Sequence, residues 1–304
     1  MGITKYNTWK NSSTLNEAPT DVDPRVEGFR QFLVNKRREA RGLQALTQSD
    51  KKETAEEISK DADITPVSGE LNIKQSPISD KKMAEKIVDA LKKYGIVNPL
   101  VHQAILGVIS KESGFNISRS EIPYNRTPNS RIRETFGARV SGLSDDELDA
   151  LKKNTTKFWD RVYGSDDPTG MSQKYGNTKP GDGAKYLGRG LNGLTFKSNY
   201  QKYTDLLRKN GVNADLVANP ELLEKPEIAA EVNALYFLEG LASKSSERKY
   251  GNKNPNDFKD LTTAVKAATN ANAGWGRNIE GTEDLSKALA FAKKLDVEDL
   301  TSLA

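Results

Sequence analysis

The sequence predicts a mainly helical fold, on three observations. Apolar residues recur at three- and four-residue spacing in one segment after another. These segments open on Ser, Asp, Thr or Pro and close on Gly or Asn. Alternating runs of β-branched and aromatic residues are few, leaving room for one short hairpin. No internal repeat is visible. A chain of 304 residues has room for one sizeable domain plus an appendage, or for two small domains.

Residues 1–78 read as an N-terminal arm and linker. Asp23-Pro24 is a cap followed by a first-turn proline, and a helix is expected to about Arg41. Val26, Phe29 and Leu33 form a narrow stripe opposite a basic face of Lys36, Arg37, Arg38 and Arg41. Such a helix cannot bury enough surface alone, so it either packs on the main domain or docks on another protein. Thr47 to Pro77 is polar and charged, with the composition of a linker.

The main domain is expected over 79–304. Ser79 is the expected cap of a helix carrying Met83, Ile87, Leu91 and Tyr94, which Gly95 ends. Pro99 opens a second helix, and residues 122–143 read as polar and irregular, with Arg131, Arg133 and Arg139 on a solvated surface. Ser144 with Glu147 three residues on is a capping box for a helix to about Lys153. Thr155 to Tyr163 is a further helix, bringing Phe158, Trp159 and Val162 to the core. Gly164 to Gly183 reads as a long loop, and loops of that length in a compact domain are commonly functional. Thr195, Asn199 and Tyr200 start the next helix. Others are expected at Pro226–Gly240, Phe258–Thr269 and Thr282–Leu295, with Ser243–Asn256 as polar loop.

Composition excludes several chemistries. Cysteine is absent and His102 is the one histidine, so no thiol nucleophile, disulfide frame or His/Cys zinc site can be built within this chain. A Ser-His-Asp triad would have to use His102. Chemistry, if present, rests on carboxylates, with no metal or other cofactor expected. The net charge of +4, from 46 basic and 42 acidic residues, is spread out and does not argue for nucleic acid. The basic helix at Arg37–Arg41 lacks the interleaved aromatics that single-strand binding uses. The start, MGITKYNTWKN, is polar, and no apolar run is long enough to span a bilayer. The expectation is synthesis in a cytoplasm without a signal peptide.

The most legible chemistry lies in LVHQAILGVISKESGFNISRSE, residues 100–121. Val101, Ile105, Val108 and Glu112 share one face, so a carboxyl ends an apolar stripe just before Ser113-Gly114 breaks the helix. Partial withdrawal from water there favours its protonated form. Glu121 follows in a segment free to face it across a cleft. One protonated acid and one ionised base is the equipment of glycosidic-bond hydrolysis. A single Glu at a helix end is otherwise a solvated surface group. Downstream, five glycines lie between Gly181 and Gly193, marking tight turns. No nucleotide loop is present, because no strand precedes them and no Gly-Lys-Ser/Thr follows.

Lys111-Glu112-Ser113-Gly114-Phe115, Glu121, Arg161-Val162-Tyr163-Gly164, Gly181-Asp182-Gly183, Tyr186, Gly188-Arg189-Gly190-Leu191, Leu194-Thr195 and Ser198-Asn199-Tyr200 resemble the family 19 glycoside hydrolases. The likeness runs in order from about residue 80 to 295 and is closer to the phage and bacterial branch of chitinases and peptidoglycan-cleaving endolysins. The Gly-Arg-Gly block is its most specific piece. The resemblance implies a lysozyme-like helical domain with a substrate cleft, acting on peptidoglycan glycan strands, or on chitin. It implies Glu112 as general acid and Glu121 as general base in an inverting hydrolysis, with the carboxyls about 6.5–9.5 Å apart. Thr195 then corresponds to a residue holding the attacking water, and Asn199, Tyr186 and Asn270 to substrate contacts. Arg189 pairs with a catalytic carboxylate or holds the fold. Two departures stand out. Lys111 replaces the family's His, and an ammonium beside Glu112 favours the ionised carboxylate unless it points to solvent. Gly193 replaces a Gln and removes an amide contact. If residues 1–78 dock on tail or baseplate proteins, the chain is a virion-borne lysin; if not, a free endolysin is simpler. A binding or structural protein that retains the scaffold is the alternative from another class.

Overall fold

A computed structural model describes residues 80–117, 124–275 and 277–295. The N-terminal arm and linker expected over 1–78 lie outside the described residues. Twelve α-helices follow one another among them. In chain order they are α1 Lys81–Lys93, α2 Pro99–Glu112, α3 Asn129–Phe136, α4 Asp145–Lys152, α5 Thr155–Tyr163 and α6 Met171–Lys174. They continue as α7 Asp182–Lys185, α8 Lys197–Lys209, α9 Pro226–Leu241, α10 Lys244–Tyr250, α11 Leu261–Ala273 and α12 Glu283–Ala292. No strand occurs among the described residues. The hairpin expected from the sequence is reduced to a single antiparallel bridge, Arg189 with Leu194. The fold is therefore mainly helical, as the periodicity predicts.

The described chain forms two compact units. Of the described residues, one holds 80–115, 207–212, 230–275 and 277–295, and the other 116–117, 124–206 and 213–229.

In the first unit α2 is central. Every residue from Val101 to Ile109 is buried, including His102 and Gln103. A helix that is apolar nearly all round belongs inside a bundle rather than on its surface. Gly107 lets α12 approach: a Cβ there would stand 2.5 Å from the Ala288 carbonyl oxygen. Gly240 on α9 makes the same allowance for α11, where a Cβ would meet Ala271 Cβ at 2.7 Å. The cap of α1 is Asp80, whose carboxylate accepts the Met83 N–H at 3.0 Å, and not the expected Ser79. Asn98 caps α2, Asp260 caps α11 and Thr282 caps α12, each contributing about 1 kcal/mol. Asn256 ties the α1–α2 turn down. Its Oδ1 accepts the N–H groups of Val97 and Asn98, while its Nδ2 donates to the Gly95 carbonyl.

The second unit has an aromatic core. Tyr124, Phe136, Phe158, Trp159 and Tyr163 pack with Ile132, Leu148 and Val162. Trp159 and Tyr163 stack at 5.7 Å, and Tyr124 meets Trp159 edge-on at 5.6 Å. Ser144 and Glu147 make the capping box of α4, and α5 spans the residues expected of it. Further sequence expectations need correction. Residues 122–143 contain α3, which turns Ile132 and Phe136 into the core. Arg139 is not on a solvated surface: its guanidinium meets the buried carboxylate of Asp167 at 3.3 Å. In the other unit Ser243–Asn256 holds α10 and a 3₁₀ turn, Pro255–Asp257, rather than unbroken loop.

Gly164–Gly183, expected as a long loop, holds the short helix α6 and the start of α7, and side-chain bonds staple its irregular parts. Asp167 accepts bonds from Thr169 and Ser172, which together with Arg139 hold its carboxyl below the usual range against the opposing effect of burial. Asp160 reaches from α5 to accept the N–H groups of Gly181 at 2.7 Å and Gly183 at 3.0 Å. Asn177, fully buried, donates to the Tyr163 carbonyl and accepts from the Lys197 N–H.

Candidate functional site

Glu112 is the last residue of α2, with its side chain 19% exposed. The chain turns sharply after it. Gly114 and Phe115 both adopt the left-handed region, at φ 60° and 65°. For Phe115 that conformation costs energy, and burial against Phe291, 6.0 Å between ring centroids, holds it there. The greasy helix thus carries Glu112 to its one polar end.

The Lys111 ammonium does not point to solvent. It lies 2.7 Å from Glu112 Oε1 and 2.9 Å from Asp284 Oδ1, and its side chain is 9% exposed. Burial pulls the Lys111 pKa down, but the charge and hydrogen bonds of Glu112 and Asp284 outweigh it and leave it above the ordinary value. The lysine stays charged, bridging α2 to the first turn of α12. Glu121 lies outside the described residues.

In the other unit the Gly-Arg-Gly block forms the tight bridge from Arg189 to Leu194, with Gly190 at φ 69° and Gly193 at φ 59°. Arg189 holds this turn in place. Its guanidinium donates to the Lys185 carbonyl at 2.7 Å and the Tyr200 hydroxyl at 3.2 Å, and pairs with Glu224 at 3.4 Å. Thr195 follows the turn, half-buried, and donates its hydroxyl proton to the Gly193 carbonyl at 2.9 Å. Its lone pairs remain able to accept from a water. Asn199, also half-buried, donates from Nδ2 to the Thr195 carbonyl at 2.7 Å. Its Oδ1 stays available as an acceptor.

Tyr186 and Asn270, expected as substrate contacts, sit inside their units. Tyr186 is 2% exposed, packs on Tyr200 at 5.3 Å and donates to the Val217 carbonyl. Asn270 is fully buried on α11. Its Oδ1 accepts from Lys249 at 3.1 Å, and its Nδ2 donates to the Tyr250 hydroxyl at 2.8 Å and the Lys266 carbonyl at 3.3 Å. Burial and the nearby Glu280 charge push the Tyr250 hydroxyl up to about 12 although the Asn270 bond opposes them. The amide is occupied at both ends by protein groups.

His102 is inside the α2 bundle, 1% exposed, with its Nε2–H donating to the Ile96 carbonyl at 2.7 Å. That contact fits a structural histidine and not a triad base. Among the described residues no three His, Asp or Glu side chains are grouped so as to hold a metal ion. No helix among them is long and apolar enough to cross a membrane. Sequence reasoning missed Asp284, Lys249 and Tyr250. Asp284 carried only the signal of an acidic first turn after the Thr282 cap. The chain matches no protein-family model and no curated protein sequence.

Proposed function

We propose that this chain is a peptidoglycan-degrading glycoside hydrolase, with Glu112 as general acid and Glu121 as general base in an inverting cleavage of β-1,4-glycosidic bonds. The observation that carries the reading is the position of Glu112. A carboxyl stands, only partly exposed, at the polar end of a helix that is otherwise buried. The motif resemblance from Lys111 to Tyr200 supports it. In this mechanism Glu112 gives its proton to the leaving glycosidic oxygen while Glu121 takes one from a water attacking the opposite face of the sugar. The resemblance gives Thr195 the role of helping to hold that water and Asn199 that of a substrate-binding amide. In the same reading the protein is a phage lysin, virion-borne if residues 1–78 dock it on tail or baseplate proteins and a free endolysin if they do not.

Turbidity loss of outer-membrane-permeabilised cells tests the activity. Wild type clears the suspension and Glu112→Gln does not; equal clearing by both ends the assignment of Glu112. Mass spectrometry of released muropeptides then identifies the bond and separates peptidoglycan from chitin as substrate.

A second reading has its own observation. Lys111 lies on Glu112, and the Asn270 amide is held inside the protein. Both arrangements suit a non-catalytic binding or structural protein of a phage particle that retains the scaffold. Binding of glycan strands by wild type without release of muropeptides favours it.

A further inference from the structure

We infer that Lys111, anchored by Asp284, is a positioning residue that fixes Glu112 through Oε1 and turns Oε2 toward the glycosidic oxygen; this rests on the proposed hydrolysis. Three observations carry it. The ammonium contacts both carboxylates, at 2.7 and 2.9 Å, so it is fixed from two helices at once. Its stem is almost wholly buried while Asp284 is half exposed, so the clamp closes from inside the unit. Glu112 Oε2 has no hydrogen-bond partner among the described residues, whereas Oε1 is held.

A carboxyl that must deliver a proton along one direction gains from losing rotamer freedom beforehand. An ion pair on one oxygen does that while leaving the other to react. The same ammonium is shared with Asp284, so its charge is not spent on Glu112 alone. Neighbouring charges are engaged elsewhere. On α12 Glu283 pairs with Lys287, and Lys266 of α11 pairs with Glu280. Among the described ion pairs, Lys111 is the charge in contact with Glu112, and Asp284 acts on it through Lys111.

The two partners predict opposite effects on the pH profile. Lys111→Met removes the cation, so the alkaline limb of kcat moves up by about one pH unit or more, while kcat at its optimum falls. Asp284→Asn removes an anion and leaves the whole ammonium charge on Glu112, so the limb moves down. Lys111→Arg keeps the charge and holds the limb close to that of wild type. KM changes little in each, since neither Lys111 nor Asp284 is assigned a contact with sugar. Thermal melts accompany every profile. Asp284 is half exposed, so Asp284→Asn folds and tests the inference even if Lys111→Met does not. Limbs that coincide with that of active wild type, with only the melting temperature lowered, make Lys111 a mere brace between α2 and α12 and overturn the inference. Wild type that releases no muropeptides overturns the hydrolase reading first, and the inference falls with it.

Discussion

The carboxylate of Asp160 accepts the N–H of Gly183 at 3.0 Å, across a loop that returns to its own helix. With Gly181 on its other oxygen, Asp160 makes the Gly-Asp-Gly motif a structural clasp. Gly183 has to be glycine, because a Cβ would stand 2.3 Å from the Trp159 carbonyl oxygen. Gly183→Ala is expected to lower stability by about 1–3 kcal/mol through overpacking against backbone. Asp160→Ala leaves two N–H groups without their acceptor and costs about 2–4 kcal/mol. Urea unfolding of each variant measures these losses. Equal midpoints for wild type and both variants would show the clasp to be dispensable.

Acid sensitivity follows from His102. Burial, and to a lesser degree Lys92, hold its pKa down to about 4 from 6.5, although the Ile96 carbonyl pulls the other way. The unfolded chain therefore binds more protons between those values, and stability falls as pH drops from 6.5 toward 4. The whole span corresponds to about 3 kcal/mol. His102→Gln removes this component, so its stability declines less steeply over the same window. Chemical denaturation at stepped pH gives both slopes, and parallel slopes would refute the assignment.

Asn270 separates structure from substrate contact. If its amide serves α10 and α11, Asn270→Ala lowers stability by about 1–3 kcal/mol, chiefly through the Tyr250 hydroxyl it abandons. A sugar contact would instead raise KM and leave the urea midpoint in place. Measuring both on one preparation decides between them.

Much of the helical order was legible because its signals are local. Ser144 with Glu147, Pro99 and the apolar spacing of Thr155–Tyr163 act within a turn or two, and the helices stand where these place them. α3 escaped because its two core residues, Ile132 and Phe136, sit among charged neighbours that set the average character of the segment. α10 carries still less, since Ser246 is the residue it buries.

The candidate site divides in the same way. Glu112 as the carboxyl ending an apolar helix was readable from residues 100–112 alone. Long-range partners decided the rest. Asp284 is 173 residues beyond Lys111 in the chain, yet it receives the ammonium that the sequence left free to face solvent. Asn270 and Tyr186 look like exposed polar handles in one dimension and are interior groups once Tyr250 and Tyr200 close on them. Spacing along a helix is dictated by backbone geometry that each residue carries with it. Where a charge points depends on which other charge the packed helices bring within reach, and only the folded chain determines that.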